Sequence, residues 1–231
     1  MPWDELRPLL WTALQETFHM VGWTTLFTVL LGLPIGVLLV LTDKGGLLRD
    51  SRIANAFGLP VNKILGFVVN VGRSFPFLIL MIVLIPFTRW VMGLFGTATS
   101  IGTDAMIVPL TVGAVPFFAR LAETAIREVD RGLVEAAQAM GASVTTIVRK
   151  VLVREALPSL VAALTTTVIA LIGYSAMAGV IGGGGLGDLA VRYGYRSFDN
   201  RTMLVTVLVL VVVVQAVQLV GDFLSRRLSH R

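Results

Sequence analysis

The stretch that decides the fold reads Asp130-Arg-Gly-Leu-Val-Glu-Ala-Ala-Gln-Ala-Met-Gly141, and long apolar runs stand on either side of it. Asp130 is a favourable helix N-cap, because its carboxylate can accept hydrogen bonds from free N–H groups in the first turn. Leu133 to Met140 are good helix formers, and Gly141 can adopt the left-handed conformation that ends a helix. Ser143 is placed to cap a second helix. Two short helices that meet at a glycine are suited to docking a partner.

The composition around this stretch is that of a membrane protein. The chain has 231 residues, of which 55% are hydrophobic and 14% are charged, whereas a soluble domain has about 25% charged residues. The net charge of +5 comes from basic residues scattered over the loops, which favours an orientation signal in a membrane over binding to nucleic acid. Cysteine is absent and the two histidines lie far apart, so we expect no metal site and no cofactor.

Five apolar segments are candidates for crossing a bilayer, which takes about 20 helical residues. We expect residues 1–19 to be an interfacial lead-in that is not cleaved. The predicted spans are 20–41, 64–87, 105–119, 157–180 and 202–221, with a charged loop at 130–155. Gly32 and Gly36 permit close packing of the first span, and Pro76 and Pro86 fall inside the second. The prediction is an all-α polytopic membrane protein with one membrane domain, residues 1–231.

Basic residues also predict the orientation of the chain. Thirteen Lys and Arg lie on the side that holds the 130–155 loop, against five on the other side. The thirteen include Lys44, Arg49, Arg52 and Arg231. By the positive-inside rule the loop and the C-terminus are cytoplasmic and the N-terminus is outside. An odd number of spans without an internal repeat favours two copies around a twofold axis over a carrier built from two halves.

The fourth span and the segment after it carry the candidate pathway. Tyr174, Met177 and Ile181 share one helix face, with Ser175 beside them, and a thioether suits the adaptable apolar contact that Met and Tyr offer. The glycine cluster Gly182–Gly187 cannot continue a helix cheaply, so we expect a loop or a re-entrant turn. The small residues of the fourth span can approach a twofold axis, or pack against spans of the same chain.

A family resemblance rests on these residues. Glu135, Ala136 and Ala137, followed after three residues by Gly141, resemble the EAA loop of permease subunits of ATP-binding-cassette importers. Further segments look like methionine-importer permeases: Arg73–Phe77, Ile85–Arg89, Ile107–Thr111, Gly173–Met177, Gly183–Gly187 and Tyr193–Tyr195. One departure is Arg154, which stands where the general pattern has a proline.

The resemblance implies a type I importer permease fold in a bacterial inner membrane. It implies that the chain carries methionine inward and is not itself an enzyme, since ATP is hydrolysed on a separate subunit. The implied partners are two copies of a cytoplasmic ATPase, a second copy of the chain, a periplasmic methionine-binding protein and membrane lipid, but no nucleic acid.

The resemblance also implies roles for particular residues. Those for coupling to the ATPase are Glu135, Ala136, Ala137 and Gly141, and those for the translocation pathway are Tyr174, Ser175, Met177 and Arg73. The outer loop is expected to contain Gly183, Gly184, Gly185 and Gly187. From its apolar context alone, Arg73 faces protein, faces water or reaches the headgroups.

Other functions stay open at this level. An importer permease for another amino acid or small solute would share the loop. A channel would need no ATPase, and the structured charged loop argues against it. An intramembrane enzyme is disfavoured because the spans hold no Ser/His pair, paired Asp or His-Glu-x-x-His motif.

Overall fold

A computed structural model describes residues 1–43 and 52–229, with the backbone alone described for residues 52–60. Every regular element in this part of the chain is helical. The α-helices are α1 (Trp3–Leu41), α2 (Arg52–Ser74), α3 (Phe77–Val83), α4 (Ile85–Leu94), α5 (Thr103–Arg127), α6 (Arg131–Ala139), α7 (Val144–Thr146), α8 (Val153–Glu155), α9 (Leu157–Val180), α10 (Gly185–Leu189) and α11 (Asn200–Ser229). Two π-helical segments, Ile147–Leu152 and Ala190–Tyr195, follow α7 and α10. Lys44, Arg49, Arg231 and the side chain of Arg52, all used in the orientation count, lie outside the described residues.

Among the described residues, four helices are long and apolar enough to cross a membrane, namely α1, α5, α9 and α11. Val61–Ser74 and Phe77–Val83 together make a fifth candidate that is broken in the middle. The predicted span 157–180 has the same bounds as α9. The predicted spans 20–41, 105–119 and 202–221 each lie inside a longer helix.

The predicted lead-in, residues 1–19, continues directly into the first span as one helix. Asp4 and Glu5 lie in the first turn of α1, where the helix dipole favours carboxylates. No glycine stop or capping residue separates residues 3–19 from residues 20–41. The exposed Trp3 and Trp11 on this helix fit an interfacial position.

Proline breaks the second predicted span. Pro76 has no N–H and its ring conflicts with the carbonyl four residues earlier, so α2 ends at Ser74 and α3 begins at Phe77. Pro86 stands at the start of α4, where a missing N–H costs nothing. Residues 64–87 therefore form parts of three helices, and α4 extends into a segment that the sequence analysis placed beyond the second span.

The described helices divide into two compact units. The first comprises residues 1–27, 75–114 and 167–219, and its core contains Met20, Met81, Met106, Leu110 and Leu171. Phe77 adds a stacked contact with Tyr174, whose ring centroid lies 4.3 Å from its own.

Asp199 fixes the start of α11 in the first unit. Its carboxylate accepts hydrogen bonds from the Thr202 hydroxyl at 2.8 Å and from the Arg201 and Thr202 N–H groups at 3.1 and 3.2 Å. The N-terminal ammonium of Met1 and the Thr202 hydrogen bonds hold the pKa of Asp199 well below its usual range. The carboxylate therefore stays ionised as a cap until the pH is strongly acidic.

The second unit comprises the described parts of residues 28–74, 115–166 and 220–231. Its core contains Phe118, Ile126, Ile147, Leu152 and Leu160. α1 and α5 pack closely here at Gly36. A Cβ on this glycine would lie only 2.8 Å from the Ala119 carbonyl oxygen, which is too close for any larger residue. This is the close approach that the glycines of the first span predicted.

Candidate functional site

The predicted docking helix is formed as α6, with both ends capped locally. The Asp130 carboxylate accepts the Gly132 N–H at 2.6 Å. Gly141 has φ +75°, a conformation that L side chains rarely adopt, and its N–H donates to the Gln138 carbonyl at 2.9 Å. The Ala142 N–H donates to the Ala137 carbonyl at 3.0 Å. Both caps are those that the sequence predicted.

α6 has one buried side and one open side. Ala137 is 5% exposed and belongs to the core of the second unit. Glu135, Ala136 and Gln138 are exposed, and Met140 is 81% exposed. The Glu135 side chain forms no ion pair or hydrogen bond with any described residue. The open side therefore presents a free carboxylate beside apolar surface.

The segment after Gly141 packs into the same core as the buried side of α6. The Ser143 hydroxyl accepts the Thr146 N–H at 3.3 Å, which is the predicted second cap. Ile147 and Leu152 are buried in the same core as Ala137. Helical structure runs through Arg154 to Glu155, at the position where the general pattern has a proline.

A buried carboxylate that the sequence analysis did not single out lies on α5. Glu123 is 4% exposed, and it accepts hydrogen bonds from the Arg120 Nη1 at 2.6 Å and from the Arg127 Nη2 at 2.7 Å. Arg127 also pairs with Asp43 at 2.5 Å. The spacings of three and four residues on one helix are the signal that could have identified this group.

The predicted pathway residues have different surroundings in the structure. Met177 is 46% exposed, whereas the Tyr174 ring is half-buried against Phe77. Ser175 is buried, and its hydroxyl donates to the Ile172 carbonyl at 2.8 Å within its own helix. Arg73 lies in the last turn of α2, and its exposed side chain forms no ion pair or hydrogen bond with a described residue. Of the three α9 residues, Met177 is the one that is open to a ligand.

The small residues of α9 pack largely within their own chain. A Cβ on Gly179 would lie 2.1 Å from the Asp188 nitrogen, and one on Gly187 would lie 2.2 Å from the Ala176 oxygen. Ala178 is fully buried. Gly173 has no atom within 4 Å of its Cβ position. Of the small residues of α9, Gly173 therefore keeps an open face, while Gly179 lies in the contact between α9 and α10.

The segment that we call the glycine loop, residues 182–187, is non-helical at 182–184 and continues as the first turn of α10, which begins at Gly185, so the prediction of a loop was wrong for Gly185 and Gly187. This segment is tied to α1. Gly184 and Gly185 have φ +79° and +77°, a region that favours glycine over residues with a Cβ. The Gly185 N–H donates to the Glu16 Oε2 at 2.7 Å, and the Leu186 N–H donates to the Thr17 Oγ1 at 2.9 Å.

We call this pair of contacts the Glu16–Thr17 clasp. The Thr17 hydroxyl in turn donates to the Ala13 carbonyl at 2.9 Å. A side chain on Gly184 or Gly185 would meet the clasp, because a Cβ would lie 2.9 Å from Glu16 Oε2 or 2.8 Å from Thr17 Oγ1. Gly183, Gly185 and Gly187 are buried. The loop is held in one shape by two side chains that the sequence analysis did not identify as loop contacts.

Within residues 1–43 and 52–229, no three His, Asp or Glu side chains come together in a way that could hold a metal ion. The described residues present a capped helix with an open side, a set of apolar helices of membrane-spanning length and a glycine segment fixed by side chains of α1. These are the features of a polytopic membrane protein with a docking helix.

The chain belongs to the family of binding-protein-dependent transport system inner membrane components, which residues 51–231 match. It is 52% identical over 223 residues to the probable D-methionine transport system permease protein MetI of Vibrio cholerae, covering 96% of this chain and 93% of that one. It is 41% identical over 222 residues to the methionine import system permease protein MetP of Bacillus subtilis, covering 96% and 94%.

Solved structures agree with this assignment. An inward-facing conformation of the MetNI methionine ABC transporter matches with a TM-score of 0.89 at 44% identity, covering 99% of both chains. An amino acid ABC transporter matches with a TM-score of 0.74 at 20% identity and shares the fold. The importer-permease resemblance and the all-α membrane fold predicted from the sequence are confirmed.

Proposed function

We propose that this chain is the permease subunit of a methionine importer, driven by a separate ABC ATPase and supplied by a binding protein outside the membrane. The observation that carries the proposal is the 52% identity to a D-methionine permease over 96% of the chain. The chain's part is to provide the path and the docking surfaces, while ATP is hydrolysed on the partner. Two copies of the chain form the membrane portion.

The proposed orientation places α6 and the C-terminus in the cytoplasm and the N-terminus outside. The excess of basic residues on the α6 side supports it. The spans proposed within the helices are residues 20–41, 64–87, 105–119, 157–180 and 202–221. Cysteine variants are informative in a chain that has no cysteine of its own. A cysteine at exposed Met140 should react only with a membrane-permeant maleimide in sealed cells, and reaction with an impermeant reagent would reverse the orientation.

The proposed coupling device is the open side of α6, with Glu135, Ala136, Ala137 and Gly141. The free carboxylate of Glu135 supports a charge-assisted contact with a basic residue of the ATPase. The left-handed Gly141 sets where α6 ends, so the docking helix has a fixed length. Closure of the ATPases then moves α6, and the spans change between two states.

Gly141→Leu tests this coupling role. A leucine at φ +75° is strained and should alter the end of α6, so ATPase co-purification or ATP-driven uptake should fall at least tenfold. Gly22→Leu is the matched glycine control for membrane insertion, because Gly22 lies in α1 with open space around its Cβ position and outside the proposed docking and pathway residues. Normal uptake by Gly141→Leu at normal abundance would refute the docking role.

The proposed pathway runs along the exposed face at Met177 and includes Tyr174 and Ser175, with the glycine loop at its outer mouth. Arg73 is proposed as a further pathway residue from the family resemblance alone. The exposure of Met177 and the open Gly173 position support a substrate-facing surface here. A thioether substrate would find a soft, polarizable partner in Met177. Met177→Trp should block uptake while ATP hydrolysis in detergent persists, and unchanged uptake would exclude this face as the path.

The substrate proposal is tested by uptake of labelled methionine into proteoliposomes that contain the permease, its ATPase and its binding protein. A hundredfold excess of each unlabelled amino acid is added in turn. Methionine should suppress the signal, and alanine, histidine and glutamate should not. Equal suppression by unrelated amino acids would replace methionine with a broad amino-acid specificity.

A further inference from the structure

A polar cavity of about 610 Å³ lies within the second unit, and residues of α1, α2 and α5 form its walls. It belongs neither to α6 nor to the proposed pathway. The wall residues that carry its chemistry are Lys63, Arg120, Arg127, Asn70, Glu123 and Phe67. Three of these six are cationic, and one is a carboxylate. The cavity therefore gathers positive charge beside apolar surface.

The carboxylate of the cavity already accepts hydrogen bonds from two arginines of its own helix. Glu123 accepts from Arg120 through Oε2 and from Arg127 through Oε1, at distances of 2.6 to 3.0 Å. Arg127 has a second anionic partner in Asp43. Lys63 is exposed and pairs with no described residue. The cavity wall is left with an excess of positive charge at Lys63 and Arg120.

The hydrogen-bonding groups of the cavity favour an anion over a zwitterion. Arg120 uses one nitrogen on Glu123, so the rest of its guanidinium N–H groups remain as donors. Lys63 adds ammonium donors and Asn70 adds an amide. An amino-acid zwitterion would need an acceptor for its ammonium, and the Glu123 carboxylate already accepts three hydrogen bonds from the two arginines. Guanidinium and ammonium donors together suit the oxygens of a phosphate.

The surface next to the cavity is apolar and exposed. Phe67 lines the cavity and is itself 69% exposed. Ile64, Phe67, Val68 and Val71 stand at i, i+3, i+4 and i+7 on α2, which places them on one face, and all are exposed. A site whose charged end meets such a face has the layout of a lipid site, with the headgroup in the cavity and the chains along the helix.

We propose that this cavity binds the phosphate of an anionic membrane lipid, with Lys63 and Arg120 on the phosphate oxygens. Asn70 donates an amide N–H, and the acyl chains lie along Ile64 and Val68. Glu123 does not contact the lipid. It holds the two arginines in place through the hydrogen bonds that it accepts from them.

Binding of short-chain phosphatidylglycerol to the full permease–ATPase complex, counted by native mass spectrometry, tests this proposal. Phosphatidylcholine, which carries no net charge, and inorganic phosphate are titrated in parallel. Lys63→Gln should weaken phosphatidylglycerol binding about fivefold, and Lys63→Arg should restore it. Lys150→Gln is the matched control, because Lys150 is an exposed lysine that lines no part of the cavity and should leave binding unchanged.

The outcomes separate the sources of the phosphate. Lys63-dependent binding of phosphatidylglycerol over phosphatidylcholine supports the lipid site. Lys63-dependent binding of inorganic phosphate without a lipid preference supports the same anion chemistry from a soluble source and overturns the lipid. Equal effects of the Lys63 and Lys150 variants, or no preference for any phosphate anion, overturn the site itself. The binding readout does not depend on transport, so it stands apart from the proposed methionine function.

Discussion

Each of the two units holds a partly or fully buried carboxylate, and the two are satisfied by different donors. In the first unit, Glu16 accepts a backbone N–H from the glycine loop at 2.7 Å. In the second unit, Glu123 accepts from two guanidinium groups on its own helix at 2.6 to 3.0 Å. The first carboxylate fixes the path of a backbone, and the second fixes the positions of two charges.

The difference decides how well each carboxylate can be replaced. An amide oxygen can accept a backbone N–H, so a glutamine can take over part of the work of Glu16. A glutamine at Glu123 would face two guanidinium groups without the negative charge that balances them. Hydrogen bonds to charged partners contribute more than neutral ones, so the second unit should be the more sensitive of the two.

The largest loss of stability should come from Glu123→Ala. Hydrogen bonds to charged groups contribute about 1.5–3 kcal/mol each, and partial access of both arginines to water limits the total loss to about 3 kcal/mol. The exposed, unpaired Glu155→Ala provides the control. Denaturant unfolding of the purified permease measures both. Equal free energies of unfolding for the two variants would mean that Glu123 is not a structural centre.

Gly185→Ala should follow, with a loss of about 1–3 kcal/mol. An alanine at this position would have to adopt φ +77°, and its methyl group would lie 2.8 Å from the Thr17 hydroxyl. Gly173→Ala is the matched substitution in open helical surroundings and should be neutral or stabilising by up to about 1 kcal/mol. If Gly173→Ala lowered the free energy of unfolding more than Gly185→Ala does, the glycine loop would not be rigid.

Glu16→Ala should cost less, about 1–2 kcal/mol, because it leaves the Gly185 N–H without its acceptor. Glu16→Gln should recover about half of that loss, whereas glutamine at Glu123 should recover little. Glu5→Ala on the same helix is the control, since the Glu5 side chain is exposed. The test compares, at Glu16 and at Glu123, the loss in free energy of unfolding for the glutamine variant divided by the loss for the alanine variant. The same ratio at both positions would mean that the two carboxylates do not differ in this way.

The smallest change in stability should come from Glu135→Ala, because this side chain is exposed and has no described partner. We expect a change within about 0.5 kcal/mol, as for most surface substitutions. Coupling should nevertheless fall, since the proposed ATPase contact is lost. Methionine uptake per ATP hydrolysed, compared with that of Glu155→Ala, measures this effect. If Glu135→Ala takes up as much methionine per ATP hydrolysed as the wild type, Glu135 has no coupling role and is only a solvated surface residue.

The sequence was most informative where structure depends on near neighbours. Asp130, Gly141 and Ser143 could be assigned as caps because each acts on groups within about four residues of itself. Pro76 could be assigned as a disruption for the same reason. The short helix α4 was missed because a segment rich in Gly and Thr follows it, which obscured the helical run from Ile85 to Leu94.

Contacts between distant parts of the chain could not be predicted in this way. Glu16 and Gly185 are 169 positions apart, and nothing in either local pattern connects them. The small residues of α9 were compatible with two partners, a second copy or the same chain. Gly179 meets α10 of the same chain, and only packing in three dimensions could show that.

The central claim is that this chain moves methionine only when an ATPase acts on it. The most direct test measures labelled-methionine uptake and ATP hydrolysis in the same proteoliposomes, with the permease, its ATPase and its binding protein present. The account predicts accumulation against a gradient that stops when ATP is omitted or when the ATPase is left out. Methionine entry at the same rate without ATP, ending at equal concentrations on both sides, would contradict the account and indicate a channel.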